Sequence, residues 1–234
     1  MSNPIPKLPY NIYWINLDRR PDRMKHMEKI LINNKDNSFR ITAIDYKNNF
    51  KPYKVIKHNR LNGGENGCTC SHIKALNYFL SNCDDKYCFI AEEDLSDTYS
   101  KYWLEKHHYI LKNSEYDILQ LQTTEDIYNN PTLIPEKKYG SGTTFYKIKR
   151  EIAKKIVNNH FDVENMTINL SNHKHPVTDN FVWSYGNVYL LPMFSYLNVK
   201  DSETSPEVAK HMSEKWCKYF DNVKKKHLNL WKNI

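Results

Sequence analysis

The stretch Asn11-Ile12-Tyr13-Trp14-Ile15-Asn16-Leu17-Asp18-Arg19-Arg20-Pro21 decides the fold. From Asn11 to Leu17 it has the length and the aromatic, β-branched content of a buried strand, and it halts at the charged run Asp18-Arg19-Arg20. A helix is predicted directly afterwards. Asp18 can cap it, Pro21 suits its first turn, and Met24, Met27, Ile30 and Leu31 recur at helical spacing opposite Lys25 and Lys29.

Working outward, the same alternation repeats. A second strand is predicted over Phe39 to Ile44, ending at Asp45, and a third over Tyr87 to Ala91, running into Glu92-Glu93-Asp94. Between them, Gly63-Gly64-Glu65-Asn66-Gly67 reads as a flexible turn before a helix carrying Ile73, Leu76 and Leu80 on one face. Further strands are expected near Asp117 to Leu121, Thr143 to Ile148 and Val188 to Leu191. Helices are expected near Tyr99 to Leu111, Arg150 to Asn158 and Asp179 to Tyr185. Strand and helix in alternation imply an α/β class with a largely parallel sheet. The last segment, Pro206 to Trp231, places Met212, Trp216, Tyr219, Val223 and Leu230 on one amphipathic stripe. Packing on the same domain is its expected fate, although Lys224-Lys225-Lys226 beside Trp231 also suits a peripheral membrane contact.

The chain has 234 residues, 40% of them hydrophobic, enough for one catalytic-sized domain. No segment approaches the roughly 18 to 20 apolar residues that span a bilayer, and a soluble, cytoplasmic protein is expected. Five cysteines cannot all pair within one chain, which suits a reduced compartment. The net charge of +7 fits an anionic partner without choosing one. Nucleic acid ranks last, because the aromatics fall at strand and helix-core positions. Richness in Lys, Asn and Tyr suits an AT-rich genome, bacterial or viral; a viral chain would act in the host cytoplasm or the virion.

Ligands of open α/β sheets bind beyond the carboxyl ends of strands. Three such ends are polar here: Asn16-Leu17-Asp18-Arg19, Asp45, and Glu92-Glu93-Asp94. Consecutive carboxylates raise one another's pKa unless a cation or donors compensate. In an extended backbone Glu92 and Asp94 share a side and Glu93 takes the other, so one pair could grip a metal or a ribose while Glu93 anchors a loop. Oxygen ligands of this kind suit magnesium or manganese. Arg19, Arg20 and Arg23 could meet a diphosphate bidentately, and His72 beside Ser71 could bond a sugar or phosphate. Neither a Walker loop, nor G-x-G-x-x-G, nor a nucleophile elbow, nor H-E-x-x-H is present.

Four segments in order carry a resemblance: Ile15 to Arg23, Ala43-Ile44-Asp45, Gly64 to Leu76 with its Ser71-His72 pair, and Ile90 to Asp94. Together they resemble glycosyltransferase family 25, which includes lipopolysaccharide and procollagen galactosyltransferases. The resemblance implies a GT-A fold, a Rossmann-like mixed sheet flanked by helices, over residues 1–205, with residues 206–234 as a C-terminal helix. It implies a UDP-galactose or UDP-glucose donor, transfer with inversion, and a hydroxyl acceptor on a glycan or a hydroxylysine-type side chain. Asn16, Leu17, Asp18, Arg19, Arg23 and Asp45 would line the nucleotide pocket. Ser71, His72 and Glu92 would face the donor, and Glu93 and Asp94 would hold Mn2+ or Mg2+. Asp179, in a segment like a later acidic motif of the family, would be the general base. Members commonly read Glu-Asp-Asp where this chain has Glu92-Glu93-Asp94, so a catalytically impaired sugar-nucleotide-binding module is the alternative.

Overall fold

The computed structural model describes residues 4–124, 135–137, 140–175, 177–197 and 214–233. From the N-terminus come β1 (Ile12–Asn16), α1 (Pro21–Ile30), β2 (Ser38–Thr42), β3 (Lys54–Ile56), α2 (Gly63–Asn82), β4 (Tyr87–Glu92) and β5 (Leu95–Ser96). The chain continues through α3 (Glu105–Asn113), β6 (Ile118–Gln120), β7 (Phe145–Lys149), α4 (Arg150–His160), β8 (Phe161–Asp162) and β9 (Thr167–Asn169). It closes with α5 (Thr178–Trp183), β10 (Val188–Leu190), β11 (Ser195–Tyr196) and α6 (Glu214–Lys232).

Six strands form one sheet in the order β10-β6-β7-β4-β1-β2. Neighbours run parallel except at β7, which is antiparallel to both β4 and β6. All five residues of β1 are buried, as befits an interior strand covered on both faces. Its side chains alternate between two cores. Tyr13 and Ile15 join α2 and α4 on one face, whereas Ile12 and Trp14 join Met27 and Ile30 of α1 and Trp231 of α6 on the other. The result is a mixed sheet flanked by helices, with a C-terminal helix on one side.

The structure corrects several local expectations. Asp18 does not cap α1: Arg20 is the N-cap residue, without a side-chain bond, and Asp18 instead accepts from Arg40 at 2.6 Å. The Gly63 to Gly67 stretch is helix rather than turn. Asn62 and Glu65 exchange hydrogen bonds in a capping box, each at 2.9 Å, and such a cap contributes about 1 kcal/mol. The glycines are there for close packing. A Cβ on Gly67 would lie 2.7 Å from the Ile44 carbonyl oxygen, and one on Gly63 would lie 2.6 Å from the Tyr46 ring. The expected helix from Tyr99 to Leu111 is a short 3-10 turn at Ser100–Tyr102, then a break at Trp103, where the indole donates to the Met193 carbonyl, then α3.

In α6 the buried face is Val223, His227 and Trp231, one residue every four, while Tyr219 is exposed. Trp231, weighed above for a membrane surface, is 1% exposed and donates to the Pro192 carbonyl at 2.9 Å. Among the described residues no helix is long and apolar enough to cross a membrane. Met212, the side chain of Trp216 and the boundary at 205 lie outside the described residues.

Candidate active site

The parallel register of β1, β2 and β4 brings their carboxyl ends level: Asn16 lies opposite Thr42, and Ile15 opposite Glu92. Beyond these ends opens a cavity of about 190 Å3. Of the residues picked out in the sequence, Asn16, Leu17, Arg19, Arg23, Asp45, Ser71, His72, Glu92, Glu93 and Asp94 all line it. Asp18 is not in this lining, being turned to Arg40, and neither is Asp179.

The three acidic residues have three different surroundings. Glu92 is held by α2 and the segment leading into β7: its Oε1 accepts from Thr143 Oγ1 at 2.6 Å and lies 3.3 Å from His72 Nε2. Burial alone would push its carboxyl up, but His72, through hydrogen bond and charge, and the Thr143 hydroxyl bring it below its ordinary value. Glu93 faces β1, where its Oε2 accepts from Asn16 Nδ2 and from the Leu17 N–H at 2.9 Å. That bracket fixes the turn that carries Arg19 and leads into α1, where Arg23 lies. Burial raises the Glu93 carboxyl, against the lowering effect of those donors and of Arg20 and Arg23.

Asp94 is less well compensated. Its Oδ1 is buried without a hydrogen-bond partner, and burial followed by the Glu92 charge pushes its carboxyl up to about 7, with Arg23 acting against this. An under-compensated carboxylate on a cavity wall is a vacancy in charge that a cation fits.

Around this run the cavity mixes cations and anchored polar groups. Arg19 Nε pairs with Asp45 Oδ2 at 2.8 Å, joining the ends of β1 and β2. Ser71 is fully used in the fold, donating to the Gly67 carbonyl at 2.6 Å and accepting from the Ile44 N–H at 2.8 Å. His72 is wholly buried, with Nδ1 2.9 Å from the Tyr146 hydroxyl. Asp179 lies in the first turn of α5, preceded by the N-cap Val177, and accepts from the Gly142 N–H at 3.2 Å. Gly142 precedes Thr144, which lines the cavity, by two residues.

Sequence reasoning missed Thr143, just before the antiparallel strand, and Tyr146 on it, which steady Glu92 and His72, and Cys68, whose ligand atom lies within 4.8 Å of those of His72 and Glu92. The Cys68-x-x-x-His72 spacing, four apart on a helix, was the available signal for the last.

A cavity that gathers guanidinium groups and carboxylates at the carboxyl ends of parallel strands belongs to a ligand-handling α/β protein. The sequence then fixes the kind: the model of glycosyltransferase family 25, described as LPS biosynthesis protein, matches residues 10–171. The chain belongs to glycosyltransferase family 25, and its role is glycosyl transfer. No curated protein matches it. The solved structures similar to it include two with a TM-score of 0.43 each. One is A197 from STIV, 15% identical, covering 79% of this chain and 83% of that one. The other is the mannosyltransferase PcManGT from Pyrobaculum calidifontis in complex with GDP-Man and Mn2+, 10% identical, covering 98% of this chain and 72% of that one.

Proposed function

We propose that the chain is a metal-dependent, inverting hexosyltransferase of GT-A type. It would move galactose or glucose from a UDP-sugar to a hydroxyl on a glycan or a hydroxylysine-type protein side chain. The observation that carries this reading is the convergence of Arg19, Arg23 and the Glu92 to Asp94 run on one cavity, with Asp94 Oδ1 buried and unpartnered.

Asp94, with Glu93, would hold Mn2+ or Mg2+, which suit carboxylate oxygens and diphosphates. When bound, such an ion neutralises charge on a departing diphosphate. Arg19 and Arg23 orient the same diphosphate through guanidinium hydrogen bonds. The Asn16-Leu17 turn and Asp45 shape the nucleotide side, and Ser71 acts indirectly by tying α2 to Ile44. His72 and Glu92 face the donor sugar. Inversion needs one in-line displacement: the acceptor oxygen attacks the anomeric carbon, its proton passes to a carboxylate, and UDP leaves. Asp179 is the proposed acceptor of that proton; it accepts from the Gly142 N–H, two residues before Thr144 on the cavity wall.

The test is UDP release and thermal shift with UDP-glucose, UDP-galactose and UDP-N-acetylglucosamine, with and without Mn2+. At least one donor is expected to stabilise the protein and to release UDP when Mn2+ is present. Asp179→Asn is expected to keep donor binding and to lose about 10²–10⁴-fold in turnover. A panel that neither binds nor reacts sinks the proposal. Binding without release would favour the impaired module, a reading supported by Glu93 Oε2 being engaged by β1 and by Asp179 lying off the cavity lining.

A further inference from the structure

Cys68 and His72 stand one helical turn apart on α2, and Glu92 closes the end of β4 beside them. One ligand atom from each lies within 4.8 Å of the others, and all three residues line the cavity. The donor set is a thiol, an imidazole and a carboxylate, unlike the all-oxygen character of Glu93 and Asp94. Thiolate and imidazole select soft or borderline cations of the zinc class, whereas carboxylates favour magnesium and manganese.

We infer that Cys68 Sγ, His72 Nε2 and a Glu92 carboxylate oxygen form a second cation site, for a zinc-class ion, in the wall of the cavity. The geometry is close to what such an ion requires. Two ligands about 2.0–2.1 Å from a tetrahedral zinc stand about 3.3 Å from each other, and His72 Nε2 lies 3.3 Å from Glu92 Oε1. The sulfur, within 4.8 Å of the other two ligand atoms, has to come to about 3.6 Å from them for a zinc–sulfur bond of about 2.3 Å. The outer partners are in place. Tyr146 sits at 2.9 Å from the other ring nitrogen of His72, fitting the tautomer that leaves Nε2 for a metal, and Thr143 steadies the Glu92 carboxylate.

Three protein ligands leave the fourth position open toward the cavity, and the cavity supplies an entry path. Binding expels the Cys68 thiol proton to solvent, since the thiolate is the ligand. A zinc-class ion bound here draws on Glu92 and fills space beside Asp94, so it competes with whatever the cavity otherwise admits. The site does not depend on the transferase reading, because its test reads metal coordination rather than transfer.

The test is a Co2+ titration of the full chain, reduced and freed of metal by chelation, followed by absorption spectroscopy and then displacement by Zn2+. Wild type and Cys83→Ser are expected to bind one Co2+ with a thiolate-to-cobalt charge-transfer band and tetrahedral d–d bands, both erased by Zn2+. Cys68→Ser is expected to lose the charge-transfer band, and Glu92→Gln to weaken Co2+ binding at least tenfold. Asp94→Asn is expected to keep the band. No thiolate band in wild type would overturn the inference whether or not the variants fold. So would a band that survives Cys68→Ser, or one that disappears in folded Asp94→Asn.

Discussion

At Asp94, burial and the Glu92 charge hold the carboxyl at about 7 in the folded chain, against an ordinary value of 3.8. The folded protein therefore keeps a proton that the unfolded chain gives up. A group raised in this way contributes stability that is complete below its unfolded pKa and is lost as pH rises through the folded value. In chelator, wild type is expected to melt at progressively lower temperature than Asp94→Asn as pH rises from about 4 to about 8. The same substitution is expected to abolish any stabilisation by Mn2+, since an amide oxygen is a poorer ligand for a hard cation than a carboxylate. Thermal melts across pH, with and without Mn2+, check both outcomes. A wild type as stable as the variant at the upper pH would count against the under-compensated charge.

Among the elements, α2 contributes most to the site, and Gly67 and Ser71 form its seam with the end of β2. Gly67 lets the helix approach the Ile44 carbonyl so closely that an added methyl would sit 2.7 Å from that oxygen. Ser71, one turn later, donates to the Gly67 carbonyl and accepts from Ile44. Gly67→Ala cannot be accommodated by a side-chain rotation, because the obstacle is backbone. It is expected to cost about 1–3 kcal/mol, read as a lower urea midpoint. Moving this seam also shifts Asp45 away from Arg19, so weaker donor binding should accompany the loss of stability.

Across the whole molecule, the two cores on either face of the sheet are closed by different parts of the chain. α2, α4 and α5 close one. The other is completed by α6, whose Trp231 meets Tyr99 and His107 and donates to the Pro192 carbonyl. The same helix reaches toward the cavity: Lys224 Nζ donates to the carbonyl of Tyr196, which lines it. Trp231→Ala removes a fully enclosed indole and is expected to cost about 3–5 kcal/mol, measurable by urea denaturation. An unchanged midpoint would mean that α6 adds nothing to the stability of the domain.

The sequence by itself determined the alternation of strands and helices, because periodicities of two and of 3.6 residues are local properties of the chain. It also pointed to the ends of β1, β2 and β4, where buried runs give way to charge and where the cavity opens, and the order of its motifs disclosed the family. Only the tertiary structure decided the partners. Asp18 goes to Arg40, Glu93 to the Leu17 backbone, and Thr143 and Tyr146 arrive from the start of an antiparallel strand and the segment before it, more than fifty residues beyond Glu92 and His72. The glycines of α2 read as a turn because glycine weakens helices, yet packing against Tyr46 and Ile44 overrode that preference. Burial and non-local hydrogen bonds depend on which surfaces meet, and that is why three adjacent carboxylates became an anchored acceptor, a loop bracket and an under-compensated charge.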